Sequence, residues 1–594
     1  MPSAVDLDTL LARHPRRPES LLQVLCDIQA VHNHIPADLA VQVAEALAIP
    51  LARVRGVIGF YSFLCSEPAG RFRLLFSDDI TDRMAGSQAL MSALCGRLWL
   101  EPGKVSEDGL VSVTTTSCIG MCDQGPALLA NGWPITRLSP RRIDTIADLI
   151  RAEAPVADWP AEFFRVADHI RRRDRLLNSG PMVGAALAAG LARGPEGVIV
   201  QLERASLRGR GGAGFPTGRK WRACREAPGD ARYVVGNADE GEPGTFKDRV
   251  LLTRHADLLF EGMTVCALAI GARQGFLYLR GEYRYLLEPL QAILAQRRAA
   301  GLLGAAIQGR AGFDFDIAIH LGAGAYICGE ESALIESLEG KRGIPRNRPP
   351  FPVTHGYRQQ PTVVDNVETF CAAALIALSG GDGYRAIGTE QSSGTKVLSV
   401  SGDCARPGIY EYPFGVTVRQ VLTDCGATDS QAVQVGGPSG ACIGGDEFDR
   451  RLCFEDLASA GALVIFDGRR DLFEAAHNFT EFFARESCGF CTPCRVGTAM
   501  LQDIMAKIAA GHGTRHELDQ IAQLARVLQQ SAHCGLGHSA CNPTLDMLKR
   551  FRPTFERRLK TLDFEPAFDL DGALARARAM TGRDDAGAHI RSEP

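Results

Sequence analysis

Tyr233-Val-Val-Gly-Asn-Ala-Asp-Glu-Gly-Glu-Pro-Gly-Thr-Phe-Lys-Asp-Arg249 begins as an apolar run and passes without a break into glycine and carboxylate. A strand that empties into a glycine-rich turn and then into helical text points to an α/β unit whose loops carry the chemistry. The pattern recurs in GFLYLRGEY (275–283) and FDIAIHLGAGAYICGEE (315–331), so the stretch 201–390 is expected to form one α/β domain. Asp239, Glu240 and Glu242 fall within four positions. Like charges that close repel unless hydroxyls, amides or cations share them, which favours contact with a polyhydroxy chain such as ribityl or ribose over a bare solvated face.

Just upstream, Arg208-Gly-Arg-Gly-Gly-Ala-Gly-Phe-Pro-Thr-Gly-Arg-Lys220 has the glycine density that lets backbone N–H groups approach a phosphate, with Arg210 and Lys220 able to neutralise charge. No Ser or Thr follows a Gly-Lys pair, so it is not a Mg-nucleotide loop. Nor does it fit the strand-turn-helix context of G-x-G-x-x-G. Taken alone it is either a phosphate cradle or a flexible turn. Downstream, Gly322–Glu331 again ends a strand in glycine and carboxylate. The basic run Lys341, Arg342, Arg346 and Arg348 follows, a solvated face or a pyrophosphate contact.

Beyond Gly394, short alternating segments (VLSVSG, GIYEY, AVQVGG, LVIFDG) predict a small mixed-sheet domain over 391–470. From Asp471 the apolar period becomes helical, predicting a bundle over 471–560, and 561–594 reads as a polar, frayed tail. Inside the bundle, ESCGFCTPCRVG sets Cys488, Cys491 and Cys494 three residues apart, and Cys534 follows at a distance. Three close thiolates plus a remote fourth is an iron–sulfur pattern. A four-cysteine zinc site or unliganded buried thiols are the alternatives. His533 and His538 flank the fourth thiolate as candidates to shape its loop or tune a cluster by hydrogen bonds.

At the other end, residues 1–150 read as a helical lead-in, with two helices meeting at His34-Ile35-Pro36, followed by a small α/β domain containing Cys118-Ile-Gly-Met-Cys122. The Ala-, Pro-, Arg- and Gly-rich stretch 151–200 reads as a linker. The whole has 594 residues, 45% hydrophobic and 23% charged, which implies three to five cores. A net charge of −4 gives no basic excess for nucleic acid or an anionic membrane. No run approaches a membrane span and the start lacks the apolar region of a leader, so a cytoplasmic location is expected. Eighteen cysteines without a secretory leader point to metal rather than disulfides where they cluster.

The three glycine loops, Thr362-Val-Val-Asp-Asn-Val-Glu-Thr369 and the cysteine run, in this order, resemble the flavoprotein subunit of respiratory complex I over about residues 200–555. The resemblance implies FMN held by Gly209, Arg210, Gly211, Gly212, Lys220, Asn237, Asp239, Glu240, Tyr326, Gly329, Glu330 and Asn366. It implies NAD(H) stacked on the flavin as substrate, assisted by Glu242 and Glu331, with the adenine against Phe215 and Phe351. Ala223 stands where some relatives have a third aromatic. Cys488, Cys491, Cys494 and Cys534 are the implied ligands of a 4Fe-4S cluster. Residues 391–470 resemble that family's ubiquitin-like β-grasp domain. Residues 1–150 resemble the complex's thioredoxin-like 2Fe-2S protein, here joined ahead of the flavoprotein. There the second cysteine pair is present as Cys118 and Cys122, whereas Ser77 and Asp82 replace the first, so a 2Fe-2S cluster is not expected.

This fusion with partial ligand loss is most similar to the diaphorase flavin subunits of cytoplasmic NAD-reducing nickel–iron hydrogenases. The partners so implied are a ferredoxin-like iron–sulfur diaphorase subunit and a nickel–iron small/large pair, with no nucleic acid and no membrane. NADH gives two electrons at once and a cluster takes one, so a flavin must stand between them; hydride transfer then needs orientation rather than a side-chain base. The competing expectations are the NADH-oxidising subunit of complex I or of an NAD-dependent formate dehydrogenase, and, from another class, a non-catalytic assembly subunit.

Overall fold

A computed structural model describes residues 7–561 and 570–584. Four parallel strands form the central sheet, in the order Asp316–Leu321, Gln274–Leu279, Tyr233–Ala238, Thr362–Asn366. The chain runs outward from Tyr233–Ala238 on one side and then returns to its other side. Between Tyr233–Ala238 and Thr362–Asn366 the connections therefore diverge, and in an open α/β sheet that opens a crevice at the carboxyl ends of the strands. Helices Ala256–Ile270 and Val367–Ser379 cover the sheet and are buried almost throughout, the all-apolar text of a helix enclosed on every side. They touch closely enough that a Cβ on Gly262 would lie 2.1 Å from the Phe370 carbonyl oxygen, so only glycine fits there.

The stretch 151–200 is not a free linker. Ile170–Arg172 adds an edge strand to the next domain's sheet, and Ala185–Arg204 packs on both covering helices, burying Leu187, Val198, Ile199 and Leu202. Two buried carboxylates fix it: Glu411 accepts the backbone N–H groups of Asp174, Leu176 and Leu177, and Glu261 those of Gly184 and Leu187. A carboxylate taken out of water demands such donors, and the connector's backbone meets that demand.

The β-grasp expectation matches the topology. Thr395–Gly402 and Gly408–Pro413 form a hairpin, Ala462–Asp467 lies parallel beside the first, Ser430–Val435 and Ala441–Gly444 extend the sheet, and helix Val418–Cys425 packs in the domain's core. Leu472–Glu486, Thr492–Ala509, Arg515–Ser531 and Asn542–Arg550 form the helical bundle. A four-stranded sheet (Val111–Thr116, Phe72–Ser77, Leu128–Ala130, Trp133–Ile135) builds the thioredoxin-like domain. The helical lead-in, Leu21–His32 and Ala37–Ala46 as expected, docks on the central domain: Tyr61 donates to Ser337 Oγ at 2.7 Å and Arg53 to the Glu339 carbonyl at 2.7 Å. In the tail, Leu570–Thr581 is a helix with no buried residue rather than frayed chain; 562–569 and 585–594 lie outside the described residues. Among the described residues no helix is long and apolar enough to cross a membrane.

Candidate functional site

A cavity of about 420 Å³ occupies the crevice at the switch point, within the range of small-molecule sites. Its floor is the strand ends and their loops: Asn237, Asp239 to Glu242, Lys247 and Asp248 on one side, Tyr326, Gly329, Glu330 and Asn366 on the other. Gly211 and Gly212 of the upstream loop form an edge. Gly212 has φ +118, which L side chains avoid, and a Cβ on Gly211 would lie 3.3 Å from the Cβ of Asn366. The β-grasp domain adds Gly436, Ser439, Gly440 and Ala458 to Ala460, and the bundle adds Gly535, Leu536 and Ser539.

Carboxylates dominate the floor, and each is held differently. Glu240 accepts from the backbone N–H groups of Asp248 and Arg249 and from the Tyr283 hydroxyl; burial, then the neighbouring Asp248, raises its pKa to about 7. Glu242 takes the Tyr326 hydroxyl at 2.5 Å and both the N–H and hydroxyl of Ser439, while burial pushes its carboxyl upward. Asp239 has a buried oxygen, Oδ2, with no hydrogen-bond partner, and burial lifts its pKa well above the ordinary range. A buried carboxylate oxygen with nothing to accept is costly unless a ligand supplies the donor. Hydroxyls of a ribityl chain are donors of that kind, so the residues present fit FMN.

Lys247, absent from the expected site, lies in the wall with its ammonium 2.6 Å from Asp248, 3.1 Å from Glu368 and 3.1 Å from Asn366 Oδ1. These carboxylates raise its pKa against the pull of burial. The signal was present in the sequence itself: a lysine three positions beyond a glycine turn crowded with acids.

Other expected residues lie outside the cavity lining. Arg210 is corrected as a charge partner for a ligand. Its guanidinium is buried, donates to the carbonyls of Arg208, Ser393 and Thr395 and to the Tyr384 hydroxyl, and stacks on Phe414 4.7 Å away. It ties the loop to the β-grasp hairpin instead. Lys220 stands behind the floor, bonded to the Val364 carbonyl at 2.9 Å and 3.4 Å from both Glu331 and Asp365. Glu331 also faces Arg348 at 3.7 Å. Gly209 closes its loop by donating to Phe215 O. Phe215 and Phe351 are 51% and 52% exposed, rings this large standing in solvent outside the crevice.

Cys488, Cys491 and Cys494 sit where helix Leu472–Glu486 turns into Thr492–Ala509, and Cys534 opens the short helix Gly535–Ser539. Cys494 and Cys534 are buried. Burial first, with Cys491, Cys534 and Cys488 acting in the same direction and the Ser487 hydroxyl opposing, raises the Cys494 thiol to about 11. An all-sulfur donor set of this kind suits iron–sulfide or zinc. The His533 and His538 rings donate to the carbonyls of Pro345 and Ala532 respectively, shaping the loop.

The bundle and the crevice share a wall. Gly535, Leu536 and Ser539, immediately after Cys534, line the cavity, and Glu486, two residues before Cys488, accepts the Tyr326 N–H at 3.0 Å.

Residues 202–375 match the Nuo51 FMN-binding domain, 474–558 the NADH-ubiquinone oxidoreductase-F iron–sulfur binding region, and 7–151 the thioredoxin-like [2Fe-2S] ferredoxin family. Together with the crevice and the four thiols these define the class: an FMN-binding flavoprotein subunit with a C-terminal 4Fe-4S domain. The chain is 43% identical over 583 residues to the NAD-reducing hydrogenase HoxS subunit alpha of Cupriavidus necator, covering 96% of this chain and 97% of that one. It is 41% identical to an NADH-quinone oxidoreductase subunit of Streptomyces coelicolor over 64% of this chain and 87% of that one. A crystal structure of an NAD+-reducing [NiFe]-hydrogenase in the H2-reduced state contains a chain that superposes with a TM-score of 0.90 at 44% identity, 97% of this chain and 100% of that one being covered. The chain belongs to the family of NAD-reducing hydrogenase alpha subunits, the diaphorase flavoproteins.

Proposed function

We propose that the chain exchanges electrons between NAD(H) and the 4Fe-4S cluster through FMN, and passes them to or from a ferredoxin-like iron–sulfur subunit and a nickel–iron hydrogenase pair. The observation that carries this reading is the shared wall: the loop bearing the fourth cysteine lines the cavity that fits the flavin. When bound, FMN supplies the conversion between a hydride and single electrons.

The chain's own part is orientation. Asp239 and Asn237 face the cavity to hold hydroxyls, Gly211 and Gly212 leave room for close backbone approach, and Lys247 offers positive charge. Glu242, fixed by Tyr326 and Ser439, is positioned to contact the nicotinamide nucleotide, and Glu331 lies beyond it beside Arg348. With Asp79 and Asp82 beside only two thiols in the thioredoxin-like domain, we assign no 2Fe-2S cluster and no relay step to it. A membrane-bound setting or a formate dehydrogenase has no specific observation in its favour.

The test is Cys494→Ala. The variant is expected to keep FMN and its bleaching by NADH, while electron delivery to the copurified partner subunits falls at least about a hundredfold. Undiminished delivery would refute the wiring.

A further inference from the structure

Cys118 and Cys122 of the thioredoxin-like domain do not stand in a binuclear iron–sulfur environment. The positions of the other two sulfur ligands are Ser77 and Asp82, and a second acid, Asp79, points into the site. Cys118 Sγ and Cys122 Sγ are 3.3 Å apart, and Cys122 Sγ is 3.3 Å from Asp79 Oδ2. All three donor atoms lie within 4.8 Å of one another and all three residues are buried. We propose that Asp79, Cys118 and Cys122 bind a single divalent ion of the zinc class.

The arrangement of each donor supports this. Asp79 divides its carboxylate: Oδ1 caps helix Ile80–Met84 by accepting the N–H groups of Thr81 and Asp82, which leaves Oδ2 facing the sulfurs. Asp82 is fully buried against Asp79 and Ser77. Its Oδ1 takes the Ala127 N–H at 2.9 Å, but Oδ2 has no partner, and the Ser77 hydroxyl has none either. A buried acid with a free oxygen next to Asp79 adds to the negative charge that a cation at this site would balance.

Two thiolates and a carboxylate around one centre are a borderline-soft donor set that suits zinc, with a fourth position left for solvent. Zinc–sulfur bonds of about 2.3 Å place two thiolates roughly 3.8 Å apart, so the pair needs to open by only about half an ångström. Binding releases the two thiol protons to solvent. Two arginines of the flavin domain grip the same loop: Arg280 donates to the Cys118 carbonyl at 2.6 Å and Arg249 to that of Gly120 at 2.6 Å. The Gly120 N–H points at Cys118 Sγ from 3.4 Å. Such an ion carries no electrons. It locks the loop through which this domain holds the flavin domain.

The intact chain, grown with zinc and purified with its FMN and cluster, is analysed by plasma mass spectrometry and for acid-labile sulfide. The expected content per chain is about one zinc beside about four iron and four sulfide. In Cys118→Ser/Cys122→Ser the zinc falls about tenfold or more while iron and FMN stay unchanged. Growth on cobalt gives the unmodified chain a thiolate-to-cobalt absorption band, which decides the matter if the double variant does not fold. Zinc-free wild type without the cobalt band, zinc that survives the double substitution, or about two extra irons with matching sulfide would each overturn the proposal.

Discussion

Glu242 shows how one side chain divides the work of the crevice. Its carboxylate is held by two hydroxyls and a backbone N–H from two different domains. Glu242→Gln retains the shape and can still accept the Ser439 N–H, but removes the charge. The KM for NADH is expected to rise about tenfold, the ~1.4 kcal/mol of one charge-assisted hydrogen bond, with flavin content unchanged. Steady-state assays with an artificial acceptor, paired with flavin absorbance, check it. At this scale the sequence was only half legible. The carboxylates at the strand end announced Asp239 and Glu240 because their chemistry is local to the loop, whereas Asn237 and Tyr326 came only with the family resemblance. The direction of a loop side chain is not local, so Arg210 read as a ligand contact although its guanidinium turns away to bond carbonyls at Ser393 and Thr395.

Among the elements, the junction of Thr492–Ala509 with the Cys534 turn is tightly packed. A Cβ on Gly537 would lie 2.5 Å from that of Ala532 and 3.2 Å from that of Cys494. Gly537→Val must push the turn away from the helix that supplies Cys494. Iron and sulfide per chain are expected to fall by at least about half, whereas Gly96→Ala, in a helix with nothing within 4 Å of the added methyl, leaves them unchanged. Metal analysis distinguishes the two. The strands and cysteine helices were legible because period and spacing are properties of short windows. The wall formed by Gly436, Gly440 and Ala458 to Ala460 was not. Small residues have no chemical signature, and only the tertiary packing of the β-grasp domain brings them to the cavity. The same blindness made 151–200 look like a linker, since the carboxylates that anchor it, Glu261 and Glu411, lie far away along the chain.

Across the whole molecule, the thioredoxin-like and flavin domains are joined by a buried ion pair. Arg249 meets both oxygens of Asp123 at 3.0 Å, and His169 adds a bond of 2.8 Å. Burial alone would raise the Asp123 pKa; Arg249 and His169 hold it below the ordinary carboxylate range. Asp123→Ala leaves an uncompensated guanidinium in the interface and should cost about 3–5 kcal/mol. The urea midpoint is expected to drop and limited proteolysis to separate the two domains. Asp123→Ala/Arg249→Met should recover most of the loss, because no stranded charge remains. Equal damage in the double variant would show that the pair was not the cause.

The cavity belongs to no single domain: strand ends form its floor, a β-grasp loop one side, and the turn after Cys534 another. A nascent chain therefore has no finished berth for its prosthetic group until all three have come together. Loading is then a late event in maturation, and the bound group acts as a keystone whose grip adds RT ln(1 + [L]/Kd) to the cohesion of the closed form. A chain emptied of it should loosen first along these seams.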